Sequence, residues 1–211
     1  MAGIDARLIE VQCDISGGLP TFQIVGLPDK EVSESRERIR SAIKNSGFPF
    51  PAGRITANLA PADLRKTGVG FDLPIAVAML IASGQLRGNA RRLLLAGEVA
   101  LNGEIRAVPG VLPLAVAAAK AGLEGIVVSS DNGREAALAK GLPAYPVKTL
   151  AEAHAFLSGE TDIQPIQVDP ESLLRRAPER ILHDLGEIRG QMNAKRALEI
   201  SAAGGHNLFR L

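Results

Sequence analysis

The chain has 211 residues, 46% hydrophobic but only 3% aromatic, so its core must be aliphatic and little material exists for stacking unpaired bases. Its 24 Lys and Arg against 23 Asp and Glu leave a net charge of +1, which excludes a global positive field; any nucleic-acid contact has to be a local patch. The single cysteine, Cys13, excludes an intramolecular disulfide and a cysteine-based zinc site, and His154, His183 and His206 lack ligand spacing, so no metal is expected. No apolar run approaches the roughly 20 residues that span a bilayer. The N-terminus "MAGIDARLIEVQ" shows no basic region followed by an apolar stretch. The expectation is a soluble, cytoplasmic protein with no membrane partner.

In chain order, Leu8, Ile9, Val11, Cys13 and Ile15 give a strand signal over residues 6–15. "SGGLP" turns the chain, and "TFQIVGL" reads as the next strand. "PDKEVSESRERIRSAIKNSG" is a helix, started by Pro28 and Asp29 and ended at Gly47, with Val32, Ile39 and Ile43 on its apolar side. "GRITANLAP" is a third strand, stopped by Pro61. "DLPIAVAMLIASGQL" is a helix apolar nearly all round and therefore central. "RRLLLAGEVALNGEIRAV" reads as two short strands about a turn at Asn102-Gly103. A helix at 110–121, a strand "GIVVS", a helix near 133–140 and a strand "AYPV" follow. The last helix of this unit starts at Thr149, where Thr149-x-x-Glu152 makes a capping box, and ends near Gly159. Strand-rich sequence followed by alternating helices and strands predicts an α+β domain with a mixed sheet and helices packed on it, over residues 1–157. Residues 158–181 are polar, Pro-containing and weakly periodic, as a linker would be. Residues 182–211 hold a helix from about 191 to 203, a Gly-Gly stop and the start of a strand, which reads as the opening of a further domain.

The stretch "RKTGVGFDLPIA", residues 65–76, could cradle a phosphate, present a nucleophile or cap a helix. A phosphate loop needs converging glycine N–H groups followed by Lys and a hydroxyl residue. Here Lys66 precedes Gly68 and Gly70, and the helix opens on Asp72, whose carboxylate occupies the place an anion would want. The expectation is that Asp72 caps the helix by accepting its free first-turn N–H groups.

Beyond these local readings, "GGLPTFQIVGLPDKEVSESRERIRSAIKNSGF", "ITANLAPADLRKTGVGFDLPIAVAMLIASGQL" and "GEVALNGEIRAVPGVLPLAVAAAKAG" closely resemble the N-terminal domain of magnesium-chelatase-like AAA+ proteins of the ComM/YifB type. The motifs "VGLPD", "NLAPADLRK", "FDLPIA" and "AAGGHNL" sit in the family's order, across nearly the whole chain. The resemblance implies the fold shared by the Lon protease domain and domain 2 of ribosomal protein S5. Lon-type proteases use a serine at the start of the central helix and a lysine from the helix after the "G-E" hairpin. The same alignment puts Asp72 and Leu112 at those positions, so no peptidase activity is expected. In the family, "AKRALEISAAGGHNL" leads into the Walker A loop of an ATPase that binds ATP and magnesium and works as a DNA helicase in branch migration. This sequence stops at Leu211 before any G-x-x-x-x-G-K-[ST], with Arg210 where the family strand is apolar. The expectation is a chain that holds no cofactor itself and whose partners are its own absent AAA+ module, further copies in a ring, and DNA.

Arg36, Arg40 and Lys44 form an i, i+4, i+8 stripe, and Arg54, Arg65 and Lys66 lie near the central loop in sequence. Two readings stand: a solvated helix face with Glu31, Glu34 and Glu37 pairing those cations, or a surface that contacts phosphates or a neighbouring subunit. The other functions open to the chain are a self-standing nucleic-acid-binding domain and a residual Lon-like Ser/Lys hydrolase. Charge balance and poor aromatic content speak against the first, and the absent dyad against the second.

Overall fold

A computed structural model of the chain describes residues 6–88, 90–169 and 187–205. The chain divides into two compact units, Met1–Val168 and Asp169–Leu211. In the first, β1 (Glu10–Ser16) and β2 (Thr21–Val25) flank β3 (Arg54–Ala60), β1 antiparallel with Cys13 opposite Ala57, β2 parallel with Ile24 opposite Ala57. Period-two alternation sends Ile55, Ala57 and Leu59 into the core with Val11, Cys13 and Ile15 beside them, and leaves Gln12, Asp14 and Asn58 on the other face. There Asn58 Nδ2 donates to Gln12 Oε1 at 3.0 Å. Burial and the neighbouring Asp14 charge push the Cys13 thiol up to about 11, so it behaves as a half-buried apolar residue.

Helix α1 (Lys30–Asn45) starts as expected: Asp29 is its N-cap and accepts from the Val32 N–H at 2.8 Å. It buries Val32, Ser35, Ile39, Ala42 and Ile43. Helix α2 (Asp72–Ala82) is buried on most of its circumference, with Leu73, Ile75, Ala76, Met79 and Leu80 fully enclosed. These two helices and the inner face of the first sheet form the larger apolar core together with Val99, Val127, Val147, Leu150 and Leu157 from later in the chain.

The remaining strands do not extend that sheet, which corrects the expectation of one mixed sheet. β4 (Leu93–Ala96), β7 (Gly125–Ser129) and β8 (Ala144–Val147) make a separate parallel sheet in the order β4-β7-β8, while β5 (Glu98–Val99) and β6 (Ile105–Arg106) form a small antiparallel hairpin. The break falls at Gly97. Its N–H donates to the Gly70 carbonyl and its carbonyl accepts from the Leu73 N–H, so the backbone leaves one ladder to seat the start of α2. A side chain here would strike Ile105 Cγ2, 2.7 Å from the Cβ position. Helices α3 (Val111–Lys120) and α4 (Gly133–Ala136) cover this sheet with Ala115, Ala118 and Ala136, against Ile126, Val128 and Ala144. Helix α4 is shorter than the predicted 133–140, and the chain turns through Gly141 at φ 80° before Pro143. Helix α5 (Leu150–Leu157) has Thr149 as N-cap, accepting from Glu152 N–H at 3.1 Å; the Glu152 carboxylate reaches the Lys148 N–H instead of closing the box.

The expected linker at 158–181 begins too early. Ile163 packs against the larger core and the Ile166 N–H donates to the Ala144 carbonyl at 2.9 Å, so the chain stays on the first unit as far as Val168. In the second unit, α6 (Met192–Gly204) ends at Gly205, φ 62°, close to the predicted span. Its apolar residues Met192, Leu198 and Ile200 are exposed. The predicted strand start after it, with His206 and Arg210, lies outside the described residues, as does His183.

Candidate functional site: a sealed loop and a basic helix flank

The two motif stretches "VGLPD" and "NLAPADLRK" are folded onto each other. Asp29 N–H donates to the Lys66 carbonyl at 3.0 Å and Lys66 N–H to the Leu27 carbonyl at 3.1 Å. Gly26 makes this possible: at φ 100°, a Cβ there would collide with the Leu59 carbonyl of β3. Asp29, besides capping α1, takes the Gly68 N–H on its second oxygen at 3.3 Å. The glycine N–H that a phosphate would use is therefore engaged by a carboxylate. Lys66 is only 2% exposed and its ammonium donates to the Pro61 carbonyl. It fills the loop from within and belongs to no basic surface, which corrects its place among the expected phosphate contacts. Arg65, next to it, is exposed.

Asp72 does not cap α2. The N-cap position is Phe71, reached through a short 3₁₀ turn, Val69–Phe71, and no side chain caps the first turn. The Asp72 carboxylate is fully buried and turns back to α1, where Arg38 Nε donates to Oδ2 at 2.9 Å and Nη2 to Oδ1 at 3.2 Å. The Val99 N–H of the hairpin completes the set at 3.3 Å. One carboxylate thus ties α1, α2 and β5. Burial pushes the Asp72 carboxyl above the usual carboxylate range, outweighing the hydrogen bond and charge of Arg38 and the Val99 N–H, which pull it down. The Arg38 guanidinium is held charged more firmly by its hydrogen bond to Asp72. Sequence reading missed Arg38. Its only local sign is its place beside Ile39, at the margin of the apolar face.

Leu112, at the second position implied by the resemblance, lies in the first turn of α3 and packs with the smaller core. Its N–H donates to Glu135 Oε1 at 3.1 Å. Asn132 supports this arrangement, accepting the Val108 N–H at 2.8 Å and donating to the Val108 carbonyl at 3.0 Å and to Glu135 Oε2 at 3.3 Å. Neither Asp72 nor Leu112 offers a hydroxyl or amine for nucleophilic chemistry. Among the described residues no group of three or more His, Cys, Asp or Glu is placed to hold a metal ion. No helix there is long and apolar enough to cross a membrane.

The α1 stripe resolves differently from its sequence. At about 100° per residue, Arg36, Arg40 and Lys44 share an arc of about 80°, while Glu31 and Glu34 fall on the far side. Lys30 pairs with Glu34 at 3.5 Å, and no carboxylate among the described residues forms an ion pair with Arg36, Arg40 or Lys44. Of the three interleaved glutamates, Glu31 and Glu34 leave the cationic side of the helix, while Glu37 stays on it, about 20° from Lys44, without an ion pair to it. Arg36 donates to the Ser33 carbonyl at 3.0 Å and to the Phe22 carbonyl at 3.4 Å. The Arg40 guanidinium lies over the Phe50 ring, 4.8 Å from its centroid, and its Nε has no hydrogen-bond partner. Arg54 is exposed at the start of β3.

Comparison with known proteins gives a consistent result. The family profile "Subunit ChlI of Mg-chelatase" matches residues 11–132, and "Magnesium chelatase, subunit ChlI" matches residues 184–211. The chain is 46% identical over 208 residues to uncharacterized protein YifB of Escherichia coli, covering 98% of this chain and 40% of that protein. It is 42% identical over 211 residues to competence protein ComM of Haemophilus influenzae, covering 99% of this chain and 41% of that one. Uncharacterized protein Rv2897c of Mycobacterium tuberculosis is 39% identical over 214 residues, with 98% and 40% covered. The chain therefore spans about two fifths of the length of these relatives.

Proposed function

Because the chain belongs to the magnesium-chelatase-like family of the ComM/YifB type, we propose that its first unit is a non-catalytic N-terminal domain serving an ATP-driven DNA motor. In this reading the fold is of the S5 domain 2 and Lon kind, the motor is a helicase that promotes branch migration in transformation, and ATP and magnesium bind a following AAA+ module within a homo-oligomeric ring. Support for a non-catalytic role comes from the place where relatives of that fold would do chemistry. Asp72 there is enclosed and committed to Arg38, and the lysine position is Leu112.

The domain's part is to engage DNA along the basic flank of α1. The observation that carries this is the run of three cations, Arg36, Arg40 and Lys44, none of them in an ion pair with a carboxylate among the described residues and all on one side of the helix. Cations held this way are available to phosphates, and Arg40 on Phe50 presents a flat, pre-oriented guanidinium. With three phosphate contacts, log K for duplex DNA should fall against log salt with a slope of about −3. Arg36→Glu with Lys44→Glu should flatten that slope while costing no more than about 1 kcal/mol of stability, since both residues are exposed and exposed helix charges contribute little to folding. Fluorescence anisotropy with a labelled duplex between 20 mM and 200 mM salt (about one decade of ionic strength) reads both quantities. Absence of binding at the lowest salt would refute the proposal.

A further inference from the structure

Between the cap of α5 and the second unit, the chain lies on the first unit with very little holding it. Gly159 N–H, Glu160 N–H and Thr161 N–H close the end of α5 on the carbonyls of Phe156 and Ala155. Beyond them, residues 162–168 belong to no helix or strand, yet Ile163, Pro165, Ile166 and Val168 are half-buried. Ile163 packs against the larger core. Ile166 donates its N–H to the Ala144 carbonyl, at the outer edge of β8, and lays its side chain on Gly133, whose open side Pro146 also borders. The seat under Ile166 exists because residue 133 has no side chain: a Cβ there would collide with Ile166 Cδ1. Pro146 has no N–H, so β8 offers this segment acceptors and no donor at that point. The attachment is thus one backbone hydrogen bond and four half-buried apolar side chains, a small fraction of what holds β7, all five of whose residues are buried.

We propose that residues 162–168 are a releasable strap, which peels from β8 as one element while the first unit stays folded. Release adds seven residues, up to about 25 Å when extended, to the chain leading to the second unit. The strap is a store of slack between the two units, held by the fit of Ile166 on Gly133. This holds whether or not the first unit binds DNA.

Native-state amide exchange of the full chain tests it. The Ile166 amide should exchange at least tenfold more slowly than an unstructured amide, yet at least a hundredfold faster than Val127 and Val128 of β7. Gly133→Val should fill the seat and abolish protection at Ile166, leaving the β7 amides unchanged. If that variant does not fold, Ile166→Asn tests the same seat from the other side, read at the amide of residue 166 itself, which should lose its protection while the β7 amides keep theirs. Ile166 protected as strongly as β7 would overturn the proposal, because the segment would then open only with the whole unit. Ile166 exchanging at the unstructured rate would overturn it too, because nothing would be docked.

Discussion

Asp72 and Arg38 show how one carboxylate can change meaning between sequence and structure. At the head of an apolar helix, an acidic residue reads as a cap, since that is its most frequent use. Here the carboxylate spends its oxygens on Arg38 and Val99, fixing α2 against α1 and the hairpin. A buried pair of this kind stabilises little by itself, but losing one partner strands the other. Arg38→Met should therefore cost about 3–5 kcal/mol in urea unfolding at pH 7, and Arg38→Met with Asp72→Leu should cost much less. The pH dependence has a definite sign. A carboxyl whose folded pKa is raised binds its proton more tightly in the folded state, so its contribution is fully present below the unfolded value and is lost as pH rises through the folded one. Without Arg38 that pKa rises further, and the single variant should regain stability as pH is lowered from 7 towards the ordinary carboxylate range. A deficit that stays constant with pH would show that packing, not charge, is what Arg38 supplies.

At the scale of elements, the clasp between the two motif loops rests on a lysine buried to 2% exposure. Lys66→Ala should destabilise the unit by about 2–4 kcal/mol, because a long stem leaves the loop interior, and Lys66→Met should recover most of that. Chemical denaturation of the two variants checks the order; equal losses would mean the ammonium hydrogen bond to Pro61 matters more than the stem. The comparison also separates what local sequence can carry from what it cannot. Asp29 and Thr149 were legible as caps because a cap is decided within four residues. The central burial of α2 was legible because its residues are apolar on nearly every side. Gly97 was not, since what ends the ladder there is a hydrogen bond to Gly70, 27 positions away. The cationic flank of α1 was half legible: the cation spacing is in the sequence, but the lack of ion pairs with the interleaved glutamates depends on side-chain reach. Ile163 and Ile166 were hidden by their polar neighbours, although two isoleucines in a polar stretch already ask for something to cover them.

For the molecule as a whole, the boundary of the first unit at Val168 has a thermodynamic reading. A chain ended after Thr161 keeps the α5 cap but loses Ile163 and Ile166, and should be less stable than one ended after Val168 by about 1–3 kcal/mol. Differential scanning calorimetry of the two would show it, and identical midpoints would place the working boundary where the polar composition begins. The aliphatic core has an optical consequence as well. With no tryptophan and one tyrosine in 211 residues, the near-ultraviolet emission of this chain comes from a single address. Tyr145 in β8 stacks on Phe156 of α5, ring centroids 4.7 Å apart and tilted by 38°, with its Cε2 2.6 Å from where a Cβ on Gly125 would stand. Its emission therefore reports the joint between the parallel sheet and the last helix of the first unit, a natural gauge that needs no label.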